Sequence, residues 1–264
     1  MTDMDDKVLV EERGAVLWLT LNRPAAMNAL TPAMIGALDQ AIAQAERSEQ
    51  IRCVVVTGVG RAFCAGADLK AVRSELGADE QALSKFLALA SGTMARMESL
   101  PKPVIAAVNG SAFAGGLEIV LACDLVLAAE SAVFGDAHVN FGLLPGGGSS
   151  VRLPRKVGVN RAKLMLYTGE PVPVSEFVAC GFVHQVVPAA QLRDAAERLA
   201  TSIAAKSPLV LRRLKQLVGA GLEQPSATAL QLELVACDAH VTSHDFHEGL
   251  AAFQERRAAV FLGR

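Results

Sequence analysis

The apolar positions of this chain fall in short runs separated by turn residues, and the runs switch between two periods. Val8-Leu9-Val10-Glu11-Glu12 and Ala15 to Asn22, joined across Arg13-Gly14, read as a β-hairpin, and Asn22-Arg23-Pro24 ends its second strand. A helical period follows. Thr31 is placed to cap it, Pro32 takes the favoured first position, and Met34, Leu38, Ile42 and Ala45 share one face of a helix reaching about Ser48. Arg52 to Thr57, closed by Gly58, and Val104 to Val108, broken by Asn109-Gly110, are continuous apolar runs of the kind found in buried strands. Gln81 to Ser99 reads as a helix. Leu125 to Ala128 and Ala132 to Phe134 read as short strands, and Phe141 to Ser150 as a loop entering a helix. Asn160 to Thr168 and Ser175 to Cys180 are helical, and Val183 to Val187 is a strand stopped by Pro188. From Gln191 onward the pattern is helical, punctuated at Pro208, Pro225 and Thr242-Ser243. Strands alternating with helices and then helices alone predict an α/β body over residues 1–190 and a helical region over 191–264. The charged stretch Ala71 to Asp79, containing Gly77, reads as a mobile loop or lid.

Two stretches share one design. Val54 to Gly58 leads through Phe63 to Ala65-Gly66, and Val104 to Gly110 leads through Phe113 to Gly115-Gly116. Each is strand, turn, phenylalanine, small residues, helix start. Small residues let backbone N–H groups approach a ligand atom that larger side chains would block. A helix N-terminus adds unpaired N–H groups and a partial positive charge. Glu118 lies within the first turn after Gly115. Donors aimed at an oxyanion beside an acid/base group suit acyl chemistry.

Composition narrows the field. With 264 residues, 52% hydrophobic and 20% charged, the chain can bury a sizeable core, and its single Trp and single Tyr leave that core to Ala, Val and Leu. A formal net charge of -2 gives no basic field for nucleic acid. Five scattered cysteines, at 53, 64, 123, 180 and 237, suit free thiols in a reducing compartment, hence the cytoplasm. Met1 to Asp6 lacks the basic start and apolar run of a signal peptide, and no run is long enough to predict a membrane span.

Other candidates read as structural. Cys237, His240, His244 and His247 would cluster on one continuous helix, but Thr242-Ser243 starts a new one with Ser243 as cap, so no metal is expected. Gly146 to Ser150 lacks the lysine of a phosphate-binding loop, and Ala114 to Glu118 lacks the glycine spacing of a dinucleotide fingerprint. Cys64 has no adjacent base and reads as a small buried thiol. Asp68 and Asp124 read as helix-start and turn carboxylates.

Several segments in fixed order carry a family resemblance. They are Asn22-Arg23-Pro24 with Asn28-Ala29-Leu30, Ala62 to Leu69, Lys102 to Gly110, Ala114 to Glu118, and Ala122-Cys123-Asp124. Gly142 to Gly148, Arg152-Leu153-Pro154-Arg155, Glu248-Gly249 and Phe253 to Arg257 complete the set. Together they resemble the crotonase superfamily, the enoyl-CoA hydratases and isomerases, across nearly the whole chain. The resemblance implies a spiral of repeated ββα units with C-terminal helices that pack into trimers, often paired as hexamers. It implies a coenzyme A thioester as substrate, with no permanently bound cofactor. By position, the N–H groups of Ala65 and Gly115 would form the oxyanion hole. Ala65, Asp68 and Leu69, with Phe253 and Arg256 reaching into a neighbouring subunit, would contact coenzyme A. Glu118 matches the first of two family glutamates. His138 stands where the second belongs, and Gly146 where some isomerases carry an acidic residue. His138 could move a proton, donate to the substrate or be a core residue. Asp136, two residues away, would share a strand face with it and could orient the ring, or face solvent as surface carboxylates do. Hydration of a 2-enoyl-CoA is the leading expectation. Double-bond isomerisation by Glu118, thioester hydrolysis using His138, and acyl-CoA binding without catalysis are the alternatives.

Overall fold

The computed structural model describes residues 7–71 and 80–264. Strands β1 (Val8–Arg13) and β2 (Val16–Leu21) form the expected antiparallel hairpin, turning through Gly14 at φ +56°. Helix α1 (Pro32–Arg47) starts as anticipated: the Thr31 hydroxyl accepts the Met34 N–H, Pro32 follows the cap, and the face of Met34, Leu38, Ile42 and Ala45 is buried. Each large apolar side chain so buried contributes roughly 1.5–3 kcal/mol.

Three strand pairs follow: β3 (Cys53–Gly58) with β4 (Ala62–Cys64), β5 (Val104–Val108) with β6 (Ser111–Phe113), and β7 (Leu125–Ala129) with β8 (Val133–Gly135). The first pair is followed by the short helix α2 (Leu69–Ala71) and by α3 (Glu80–Ser99), the second by α4 (Gly115–Ala122), and the third by α5 (Ser149–Val157) and α6 (Val159–Thr168). The expected loop over 71–79 lies, from residue 72 on, outside the described residues. Strand β9 (Val172–Pro173) and strand β10 (Gln185–Val187) precede four helices: α7 (Leu192–Ala204), α8 (Pro208–Gly221), α9 (Ser226–Val241) and α10 (His244–Glu255).

Each pair sends its first strand to one sheet and its second to another. Among the described residues the larger sheet has the order β1-β2-β3-β5-β7-β10, and the smaller β4-β6-β8-β9. The β3-β5-β7 and β4-β6-β8 neighbours are parallel. That repeat of strand, strand, helix is the ββα spiral. It is why the two similar turns, one after β4 and one after β6, end side by side.

Alternate residues of the larger sheet face opposite layers. Leu17, Leu19, Val54, Val56, Val104 and Ala106 pack toward α1, α3 and α4. Trp18, Cys53, Val55, Ile105 and Ala107 pack toward α7, the first helix past residue 190. Trp18 is 1% exposed, donates its indole N–H to Glu197 of α7 at 2.9 Å, and has the guanidinium groups of Arg13 and Arg193 over its ring at 5.8 and 5.0 Å from the centroid. Helix α9 has no buried residue, and Leu230, Leu234 and Val235 on it are exposed. Ser243 caps α10 through the Phe246 N–H, so the run from Cys237 to His247 is split between two helices as expected. Among the described residues no group of side chains could hold a metal ion, and no helix is long and apolar enough to cross a membrane.

Candidate active site

The two turns approach closely. A methyl group placed on Gly115 would lie 3.7 Å from Gly66 Cα and 3.8 Å from the Ala67 nitrogen. One placed on Gly116 would fall on the Cys64 carbonyl, so only glycine lets α4 start this near the first turn. Ala114 is bent to φ +46°, unusual for a residue with a side chain, and delivers the chain into α4.

The oxyanion donor expected at Ala65 is not free, and this corrects the sequence reading. The Ala65 N–H donates to the Met27 carbonyl at 3.0 Å. In a regular strand the amides of residues 65 and 67 would face the same side. Gly66, at φ +93°, breaks the alternation. Its carbonyl then accepts from Leu30, and the Asp68 N–H donates back to the Leu30 carbonyl. Ala67, bridged to Leu30 between those two bonds, therefore turns its own N–H to the other edge. Ala67 and Gly115 both line a cavity of about 400 Å³, while Ala65 does not. Neither the Ala67 nor the Gly115 amide has a protein acceptor among the described residues. Asn28 fixes this arrangement. Fully buried, it gives its Nδ2 to the carbonyls of Val59, Ala62 and Phe63 and accepts the Arg23 N–H.

Glu118 faces the same cavity from α4. Its Oε1 accepts the N–H groups of Gly147 at 2.7 Å and Ser149 at 3.1 Å. Its Oε2 takes no protein donor among the described residues and would lie 2.6 Å from a methyl group on Gly147, which explains the glycine. Arg152 holds that loop, donating to the Gly147 carbonyl at 2.6 Å and to Glu98 of α3. Burial pushes the Glu118 carboxyl above its ordinary value, against the opposing pull of the two amides and of His138.

His138 lines the cavity with Glu118. Burial opposes a charge on the imidazole, but Asp136 and then Glu118 outweigh it and hold the pKa above its ordinary value. Asp136 is neither on a strand here nor in solvent. The chain turns tightly at Ala137, φ +57°, with the His138 N–H on the Asp136 carbonyl, and His138–Phe141 is a 3-10 turn. The Asp136 carboxylate is 1% exposed; its Oδ1 meets His138 Nδ1 at 3.0 Å, and its buried Oδ2 has no partner among the described residues.

The remaining walls are apolar: Leu30, Leu69, Leu83, Phe86, Leu87, Ala90, Met94, Leu143 and Leu144. Of the expected coenzyme A contacts, Leu69 lies at this cavity. The Asp68 carboxylate is taken up by Arg23 at 3.1 Å and by the N–H groups of Lys70 and Ala71, the helix-start role of its residue type. Phe253, 85% exposed, and Arg256, in the left-handed cap of α10, do not line the cavity within one chain. Cys64 is buried, and desolvation pushes its thiol up to about 12, which disfavours the thiolate a nucleophile requires. Asp124 is structural, joining the Val104 N–H to Lys215 of α8.

A ββα spiral with paired small-residue turns defines the crotonase fold, and the comparisons agree. The enoyl-CoA hydratase/isomerase family profile matches residues 11–264. YngF of Bacillus subtilis, provisionally named an enoyl-CoA hydratase/isomerase, is 42% identical over 262 residues, covering 98% of this chain and 100% of that one. The 2,3-dehydroadipyl-CoA hydratase of Escherichia coli is 36% identical over 262 residues, covering 98% and 99%. An enoyl-CoA hydratase structure from Bacillus anthracis superposes with a TM-score of 0.93 at 36% identity, covering 98% and 100%. The chain belongs to the enoyl-CoA hydratase/isomerase family.

Proposed function

We propose that the chain adds water across the double bond of a 2-enoyl-CoA thioester. The amides of Ala67 and Gly115 hold the thioester oxygen as it gains charge. Glu118 takes a proton from water as the oxygen attacks Cβ, and His138 delivers a proton to Cα. Resetting moves the proton from Glu118 to His138 through solvent. Coenzyme A enters as part of the substrate, and no resident cofactor is needed. The observation that carries the reading is the division of labour in the Glu118 carboxylate: Oε1 is pinned by two amides, which leaves Oε2 for chemistry. Each oxyanion donor is worth roughly 100- to 1000-fold in rate. The exposed apolar residues of α9 and Phe253 on α10 support assembly into a trimer or a pair of trimers, with Phe253 and Arg256 completing a neighbour's coenzyme A site.

The test is incubation with a short 2-enoyl-CoA and, separately, its 3-enoyl isomer, following the conjugated-enoyl absorbance and product mass. Loss of absorbance with a gain of one water from the 2-enoyl substrate is expected. Conversion of the 3-enoyl substrate to the conjugated isomer without hydration would make the enzyme an isomerase. Binding of both without turnover would make it an acyl-CoA-binding protein.

A further inference from the structure

We infer that Asp136 is a positioning residue for the reaction proposed above, on which this inference rests: its carboxylate anchors His138 through Nδ1, so that the ring presents Nε2 to the cavity and serves as the proton donor opposite Glu118. Three observations lead there. The Asp136 carboxylate is almost wholly buried, and among the described residues its one side-chain hydrogen bond goes to His138. Its second oxygen is buried and has no partner among them. A carboxylate so enclosed needs a compensating charge close by, and the imidazole is the group in contact. The tight turn at Ala137 closes the backbone between the two residues, which fixes the pair as a unit. An imidazole whose Nδ1–H is held by a carboxylate keeps one tautomer and one orientation, and its protonated form is stabilised.

The charged groups that act on the ring are Asp136 from its own turn and Glu118 from α4. Helix α6 packs on the same turn and carries Lys163 and Arg161, the latter paired with Glu176. Both influences are anionic and favour the imidazolium. His138 thus differs in kind from a carboxylic acid at the same place. A carboxylic acid donates only while neutral, whereas the anchored imidazolium starts charged and becomes neutral as Cα is protonated. The transferred proton comes from Nε2, and its positive charge offsets the enolate forming above it. Without the Asp136 anion, the ring would lose its proton at lower pH and could rotate.

The experiment pairs Asp136→Asn kinetics with an NMR titration of the ring. In Asp136→Asn, kcat is expected to fall by roughly 100-fold, the lower end of the usual general acid–base contribution, with KM near the parent's. The alkaline limb of the pH–rate profile should move to lower pH, because the raised imidazole pKa is relaxed. A folded Asp136→Asn enzyme with unchanged kcat and an unmoved limb overturns the inference. So does a fall in kcat accompanied by a lower melting temperature and an unmoved limb, since that marks a merely structural role. The second measurement needs neither turnover nor the variant. Histidine-labelled parent protein, with the His138 signal assigned through His138→Gln, should show that ring protonated above the ordinary histidine range, with its Nδ1 proton in a hydrogen bond. Titration at or below the ordinary value of about 6.5 overturns the anchoring. If the parent turns over no enoyl thioester while the ring titrates high, the reaction assignment has failed and the anchoring has not.

Discussion

The turns after β4 and β6 are near copies in sequence, yet they present their amides by different physical means. The second is a helix start: Ala114 bends to positive φ, and the Gly115 N–H is free because the first amides of any helix lack a partner within it. The first is strand-like. Its free amide exists because Leu30 uses the bonds on either side of Ala67 and leaves the middle one facing the other way. One donor is thus set by helix geometry and the other by a neighbouring segment. The helix-start turn also brings a carboxylate to the cavity, Glu118, whereas that of the strand-like turn, Asp68, is taken up by Arg23 and the α2 amides.

The largest test of this contrast is Glu118→Gln. The amide keeps an acceptor for the Gly147 and Ser149 N–H groups but cannot take a proton, so turnover should fall by roughly 1000-fold or more within the general-base range while coenzyme A affinity stays close to the parent's. The sign for stability runs the other way. A carboxyl raised by burial is one whose ionisation the folded state resists, so stability is lost as pH rises from the unfolded value through the raised one. The neutral variant should therefore melt no lower than the parent above that window. Retained turnover would remove Glu118 from the mechanism.

A smaller effect separates the two candidate donors in the strand-like turn. Replacing the amide at position 67 by an ester, with lactate in place of alanine, deletes that N–H and only weakens the neighbouring Gly66 carbonyl as the acceptor for Leu30. It should reduce kcat by roughly 100- to 1000-fold with little change in stability. The same exchange at position 65 deletes the bond to Met27 and should cost about 1 kcal/mol of stability with turnover per folded molecule retained. If the two results are reversed, the donor is Ala65 after all.

Asn28→Ala gives the smallest effect on chemistry. It removes the side chain that binds three carbonyls and the Arg23 N–H in a fully buried position, so it should destabilise the fold by about 3 kcal/mol in chemical denaturation. The kcat of whatever remains folded should fall less than in the position-67 ester. A variant as stable as the parent would show that the strand-like turn needs no buried support.

What the sequence reveals here follows how local each determinant is. The Thr31-Pro32 start of α1, the Ser243 break before α10 and the strands of the larger sheet are written in adjacent residues, and each is found where it is expected. Of the smaller sheet only β8 is legible; β4, β6 and β9 are two or three residues long and leave no run to read. The meeting of Glu118 with His138 was legible only through the family's segment order, because the residues lie on different elements. The choice between Ala65 and Ala67 was not legible. It depends on Gly66 at positive φ and on Met27 and Leu30 alongside, neither of which a hydrophobic period encodes. Asp136 was legible only as one of two readings, orienting the ring or facing solvent, and by a strand that is not there: Ala137 takes a left-handed conformation that alanine rarely adopts.

The chain's single tryptophan lies on the face of the larger sheet that packs against α7, while the cavity opens on the α4 side. Its emission therefore reports whether α7 is docked and is blind to what fills the cavity. Unfolding can be followed by fluorescence in the presence of a thioester, and the displacement of the melting curve then gives the ligand's affinity directly, through the stabilisation that binding to the native state alone confers.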